Sequence, residues 1–115
     1  VQANDSVMLS TLAGSRLGIW VAHGEGKFDL PYGEDKYQIP MKYSFKDYPA
    51  NPNGSPFETA AICSKDGRHL AMMPHLERAT YPWNWAYYNE SRNEDELTPW
   101  IEAFVNAKNW IAKRK

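Results

Sequence analysis

An Asp66-Gly67 pair set between two short apolar runs, residues 60–64 and 69–73, constrains the fold of this chain more than any other feature. Asp-Gly favours the type I′ turn of a tight antiparallel hairpin, in which both central residues take positive φ. Residues 60–73 are therefore expected to form a hairpin, with Cys63 opposite Leu70. Its second strand runs into Met72-Met73-Pro74-His75-Leu76-Glu77-Arg78, which sets an imidazole two residues before a carboxylate at a strand end. In extended chain, side chains two apart point the same way. Glu77 is thus placed to hold one ring nitrogen of His75 while the other faces a reacting group. That is the base-and-orienter half of a nucleophilic triad. A bare His-x-Glu is common on solvated surfaces, so the pair takes its meaning from its surroundings.

Those surroundings read as a mixed α/β chain. Asp5 or Ser6 can cap a short helix through Leu12, with Gly14 in its C-terminal turn. Residues 17–22 are a compact apolar run closed by Gly24 and Gly26, the pattern of a buried strand. Over residues 37–45, Tyr37, Ile39, Met41, Tyr43 and Phe45 alternate with more polar residues. This argues a half-buried strand, and Pro40 assigns it to an edge or a bulge. A loop follows, punctuated by Pro49, Pro52 and Pro56. Thr98-Pro99 suits the start of a last helix, as an N-cap followed by proline. Ile101, Phe104, Val105 and Ile111 then recur at helical spacing, giving one face expected to pack on a sheet.

Composition narrows the class. At 115 residues the chain is of single-domain size. Hydrophobic residues at 43% and charged residues at 23% are ordinary for a globular protein. A net charge of −1 gives no drive toward nucleic acid or an anionic membrane, and Lys113-Arg114-Lys115 reads as a solvated tail. Cys63 is the only cysteine, so no intrachain disulfide forms, in keeping with a reducing compartment. No apolar run approaches the ~20 residues that span a bilayer, and the start lacks a signal-peptide pattern. The expectation is a cytoplasmic protein with neither membrane nor nucleic acid as partner.

Three further segments complete a pattern with the His75 motif. They are Gly14-Ser15-Arg16-Leu17-Gly18-Ile19-Trp20-Val21-Ala22-His23-Gly24-Glu25-Gly26-Lys27-Phe28, Asn51-Pro52-Asn53-Gly54-Ser55-Pro56 and Ala60-Ala61-Ile62-Cys63-Ser64-Lys65-Asp66-Gly67-Arg68-His69-Leu70-Ala71. In this order and spacing, from about Val7 to Ile111, the chain resembles the C-terminal glutaminase domain of phosphoribosylformylglycinamidine synthases. These are class I glutamine amidotransferases of purine biosynthesis. The resemblance implies that His75 and Glu77 are the second and third members of a Cys-His-Glu triad. The family's nucleophilic cysteine lies on a strand-to-helix turn upstream of every segment quoted, and the 115 residues contain no such turn. The resemblance thus implies one partial domain, residues 1–115, truncated before the nucleophile elbow and inactive alone. The complete domain would be α/β and flavodoxin-like, with a mainly parallel sheet between helices. Its substrate would be glutamine, and its ammonia would pass to the synthetase part of the same polypeptide. That part would use ATP and magnesium, whereas this chain would hold no cofactor. A partial domain should also self-associate, burying residues 17–22 or the 60–73 hairpin against a neighbour.

Other readings of the same residues compete. Cys63 as nucleophile would lie five strand positions from His75, roughly 16 Å at ~3.3 Å per residue, too far for a hydrogen bond. A small buried hydrophobe is the better reading of Cys63. His23-Gly24-Glu25-Gly26 permits a tight backbone path near a ligand, or is simply a turn after a strand, and no chemical step is assigned to it. A metal site assembled from His23, Glu25, His69, His75 and Glu77 has no familiar zinc spacing. The aromatic run over residues 81–88 suits docking against the rest of a polypeptide, or stacking on a sugar or base. In the rival reading of the whole chain, residues 83–88 are the surface of a non-catalytic binding module and the His75–Glu77 pair is structural.

Overall fold

The computed structural model of the protein describes residues 1–21, 26–52, 54–84 and 97–113. Three strands, β1 (Gln38–Lys42), β2 (Thr59–Cys63) and β3 (Leu70–Met72), form one antiparallel sheet in the order β1-β2-β3. A single α-helix, α1 (Ile101–Lys113), closes the described chain. The pairing over β1–β3 is antiparallel throughout, and the mainly parallel sheet expected of the complete domain is not among the described residues.

Pro40 acts as its chemistry requires. It sits in edge strand β1, and the ladder to β2 shifts register on either side of Met41. The Pro40 carbonyl still accepts a hydrogen bond from the Gln2 amide at 2.8 Å, so the outer edge is partly covered.

β2 and β3 form the expected hairpin in the expected register, Cys63 opposite Leu70 and Ala61 opposite Met72. The turn differs from type I′, because positive φ falls on Gly67 alone (+73°). Asp66 accepts hydrogen bonds from the Ser64 hydroxyl at 2.6 Å and the Arg68 amide at 3.1 Å. These contacts hold its carboxyl below the usual range, the hydroxyl contributing most. The Gly67 amide then closes the turn on the Ser64 carbonyl at 3.0 Å. Glycine is required at 67 for a second reason: a Cβ there would lie 1.8 Å from the Asp5 carbonyl oxygen.

Three expected elements come out differently. The N-terminal helix is reduced to a 3₁₀ turn, Ser10–Leu12, whose N-cap is Leu9 without a side-chain cap; the Ser6 hydroxyl instead accepts from the Met8 and Leu9 amides in the turn that precedes it. Residues 17–21 are not a strand, and their one bridge is Val21 to Pro74. Proline has no N–H to extend a ladder at that point. The remainder of that expected strand, Ala22, lies outside the described residues.

The third is α1, whose packing face is not the one its apolar spacing suggests. Ala103 is fully buried, while Phe104, Val105 and Ile111 are exposed. Polar contacts turn the helix this way: Asn106 donates to the Met8 carbonyl (3.0 Å) and Thr11 hydroxyl (2.6 Å), and that hydroxyl donates to Glu102 (2.6 Å). Nor does the Thr98 side chain cap α1. It donates to the Ala79 carbonyl at 2.5 Å, fastening the helix start to the loop after β3.

The core joins these pieces. Leu9, Leu12, Met41, Ala60, Ala61, Leu76, Ala79, Trp100 and Ala103 form one buried cluster. Trp100, 2% exposed, is its largest member, and its indole N–H donates to the Gly18 carbonyl at 2.8 Å. Filling the core with a ring whose polar atom is satisfied fixes α1, residues 17–19 and the sheet together.

Candidate functional site

His75 follows β3 with extended backbone (φ −112°, ψ 103°), and the chain then tightens into a 3₁₀ turn, Leu76–Arg78. The turn forms because Leu76 and Ala79, three apart, are both buried in the core, which leaves His75, Glu77 and Arg78 on the outside. The Arg78 amide donates to the His75 carbonyl at 3.3 Å and the Ala79 amide to the Leu76 carbonyl at 3.0 Å. The expected partnership between His75 and Glu77 is present, with Nδ1 of His75 lying 2.6 Å from Oε1 of Glu77. A turn, not strand alternation, brings the two together.

The electrostatics of the pair follow from this contact. The Glu77 carboxyl is held below its usual range, first by the hydrogen bond from His75, then by its own backbone N–H, with slight burial opposing. An ionised carboxylate only accepts hydrogen bonds, so it selects the tautomer with the proton on Nδ1 and leaves the lone pair on Nε2. Both side chains are in contact with solvent, Glu77 the more so.

Cys63 is not part of this site. It lies on β2 opposite Leu70, five residues before His75 along the chain of β3. It is partly exposed rather than the buried hydrophobe expected. Its thiol is pushed up in pKa by burial and then by the Asp5 carboxylate, which disfavours the thiolate a nucleophile needs. Among the described residues, no group of three His, Cys, Asp or Glu side chains could hold a metal ion. His23 and Glu25 lie outside the described residues, as do residues 85–88 of the aromatic run.

What is described of that run is a platform. Tyr81 and Trp83 stack with centroids 4.8 Å apart and planes 7° from parallel, and both are exposed. The turn beneath them is closed by the Asn84 amide on the Tyr81 carbonyl (3.1 Å) and the Tyr81 amide on Asn84 Oδ1 (3.0 Å). Sequence reasoning missed a residue that touches both platform and site. Trp20 accepts the His75 amide on its carbonyl at 3.2 Å and donates its indole N–H to the Asn84 carbonyl at 2.9 Å. Nothing local marks it, since these contacts join residues more than fifty positions apart.

On another side of Pro74 an open cleft of about 1170 Å³ is lined by Leu17, Ile19, Met41, Tyr43 and Trp100, with Arg16, Lys46 and Glu58 among its polar residues. Phe57 and Glu58 both adopt positive φ (57° and 55°). Two consecutive left-handed non-glycine residues are backbone strain of the kind that clusters at functional surfaces.

Comparison with known proteins gives this geometry a family. The profile of CobB/CobQ-like glutamine amidotransferase domains matches residues 1–111, and the chain belongs to that family. Its similarity extends to particular enzymes: it is 43% identical over 117 residues to phosphoribosylformylglycinamidine synthase of Homo sapiens, an alignment covering 91% of this chain and 9% of that protein. It is 41% identical over 125 residues to the probable chloroplastic/mitochondrial phosphoribosylformylglycinamidine synthase of Arabidopsis thaliana, covering 96% and 9%. The corresponding probable enzyme of Caenorhabditis elegans is 39% identical over 136 residues, covering 96% and 10%. The chain thus spans about a tenth of the length of these relatives. No helix among the described residues is long and apolar enough to cross a membrane.

Proposed function

We propose that this chain supplies the base and orienter of a glutaminase site, His75 and Glu77, within a phosphoribosylformylglycinamidine synthase. The observation that carries this is the 2.6 Å contact of Glu77 with Nδ1, which leaves Nε2 of His75 to act on a thiol. Nε2 takes the thiol proton as sulfur attacks the amide carbon of glutamine, and returns it to the departing ammonia. Water then hydrolyses the cysteinyl thioester to glutamate, restoring the thiol. The attacking cysteine comes from outside these 115 residues, and so do the strands that complete a flavodoxin-like, mainly parallel sheet. Residues 1–115 are one part of that single domain.

In the whole protein the ammonia is used by a synthetase part. With ATP and magnesium it converts formylglycinamide ribonucleotide to the amidine, a cytoplasmic step of purine synthesis. Neither ATP nor the ribonucleotide binds this chain. The isolated chain releases no ammonia from glutamine beyond residual turnover, because removing a triad nucleophile removes the covalent route. Turnover that required His75 and vanished in Cys63→Ser would overturn this.

The decisive experiment uses the full-length enzyme. His75→Ala should abolish glutamine-dependent synthesis and leave synthesis from added ammonia intact, since ammonia bypasses the triad. Equal loss of both activities in a folded variant would count against the proposal. The stacked, exposed Tyr81–Trp83 pair supports one other reading, a binding module without catalysis. That reading predicts full glutamine-dependent activity in His75→Ala.

A further inference from the structure

We propose that Trp20 is a positioning residue for His75, acting as a clamp across the two ends of the loop that carries the His75–Glu77 pair. The inference rests on the catalytic reading of His75. The loop spans residues 75–84, and Trp20 holds both of its ends: the main-chain carbonyl takes the amide of residue 75 at 3.2 Å, and the indole N–H binds the carbonyl of residue 84 at 2.9 Å. Between these ends, Leu76 and Ala79 are fixed in the core, but the functional side chains point outward. Among the described residues, Glu77 supplies the hydrogen bond to the imidazole, and Glu77 belongs to the same loop. The direction of Nε2 therefore follows the loop backbone, which Trp20 holds at both ends and which Leu76, Ala79 and the Thr98 contacts to the Ala79 and Thr80 carbonyls hold between them.

The indole is poorly placed to serve packing alone. Trp20 is 51% exposed, unlike Trp100 at 2%, so much of its apolar surface stays in water. Its hydrogen bond spans 64 residues in sequence and joins two segments that are otherwise linked at the Val21–Pro74 bridge. Holding a catalytic group in a reactive orientation lowers the barrier, and small displacements from remote changes are costly.

The test is made in the full-length enzyme with Trp20→Phe, which keeps an aromatic ring and removes the indole donor. Glutamine-dependent kcat should fall about tenfold or more, with KM for glutamine and ammonia-dependent synthesis changed by less than about twofold. Combined with Glu77→Gln, the loss should be smaller than the product of the two single losses, because both act through one imidazole. Unchanged kcat in Trp20→Phe, a parallel loss of ammonia-dependent synthesis, or strictly multiplicative effects would each overturn the clamp. His75→Ala is assayed alongside: a dead His75→Ala enzyme beside a fully active Trp20→Phe enzyme overturns the clamp alone. An active His75→Ala enzyme overturns the catalytic reading and the clamp with it.

Discussion

Glu77 is held to His75 by one short contact in a largely solvated setting, so its influence is local and does not draw on a low-dielectric interior. Its carboxyl titrates below the usual range, hence the sign of its pH dependence is defined. A depressed folded-state pKa gives a contribution that is complete above the unfolded-state value and is lost as pH falls through the folded one. Pairing with His75 should persist through the ordinary carboxylate range. In the full-length enzyme, Glu77→Gln should lower glutamine-dependent kcat by about 10²-fold, less than His75→Ala, since shape is kept and the charge that stabilises imidazolium is lost. Steady-state assays with glutamine and with ammonia check this, and an unchanged glutamine rate would remove Glu77 from the mechanism. The pair was legible in the sequence because both partners fall in one five-residue motif. Trp20 was not, because its two contacts reach residues 75 and 84 and leave no periodic trace.

Among the elements, the hairpin was legible down to its register, since Asp66-Gly67 fixes where the strands must reverse. Pro40 likewise announced an edge or a bulge, and the strand has both an edge position and a register shift, because the missing N–H is a property of one residue. Residues 17–21 and the face of α1 were illegible for a shared reason: apolar pattern marks what can be buried, not what partner is present. The run at 17–21 meets Pro74 where a ladder would have to continue, and α1 is turned by Asn106 and Glu102. Gly67 offers an element-scale test. Gly67→Ala combines positive φ with a clash against Asp5, and should destabilise the isolated chain by at least about 2 kcal/mol. Gly14→Ala, at φ +88° with open space around the added carbon, should cost only about 1 kcal/mol. Paired urea melts measure the difference, and equal midpoints would refute the close approach at 67.

At the scale of the whole molecule, this protein has apolar surface that its own elements do not cover. Phe104, Val105 and Ile111 form an exposed stripe on α1, and the cleft beside residues 17–19 presents Leu17, Ile19 and Met41 among polar neighbours such as Arg16 and Glu58. Among the described residues β2 is paired on both sides, so the hairpin offers a neighbour the outer edge of β3. The isolated chain should therefore self-associate, with light scattering showing a mass that rises with concentration. A monomer at high concentration would refute this. The resemblance carried the family at this scale, whereas the three antiparallel strands and one helix of the described residues could not by themselves have disclosed a glutamine amidotransferase domain. The fastening of the hairpin turn also bears on how this protein can be altered. Hairpin tips are ordinarily where a tag or a foreign loop is accepted, but here the Val7 amide binds the Gly67 carbonyl at 2.9 Å and the Asp5 backbone lies against the Gly67 Cα. An epitope spliced between Asp66 and Gly67 would lever the amino-terminal segment off the sheet, and a graft at the exposed Phe45-Lys46 bend would spare it.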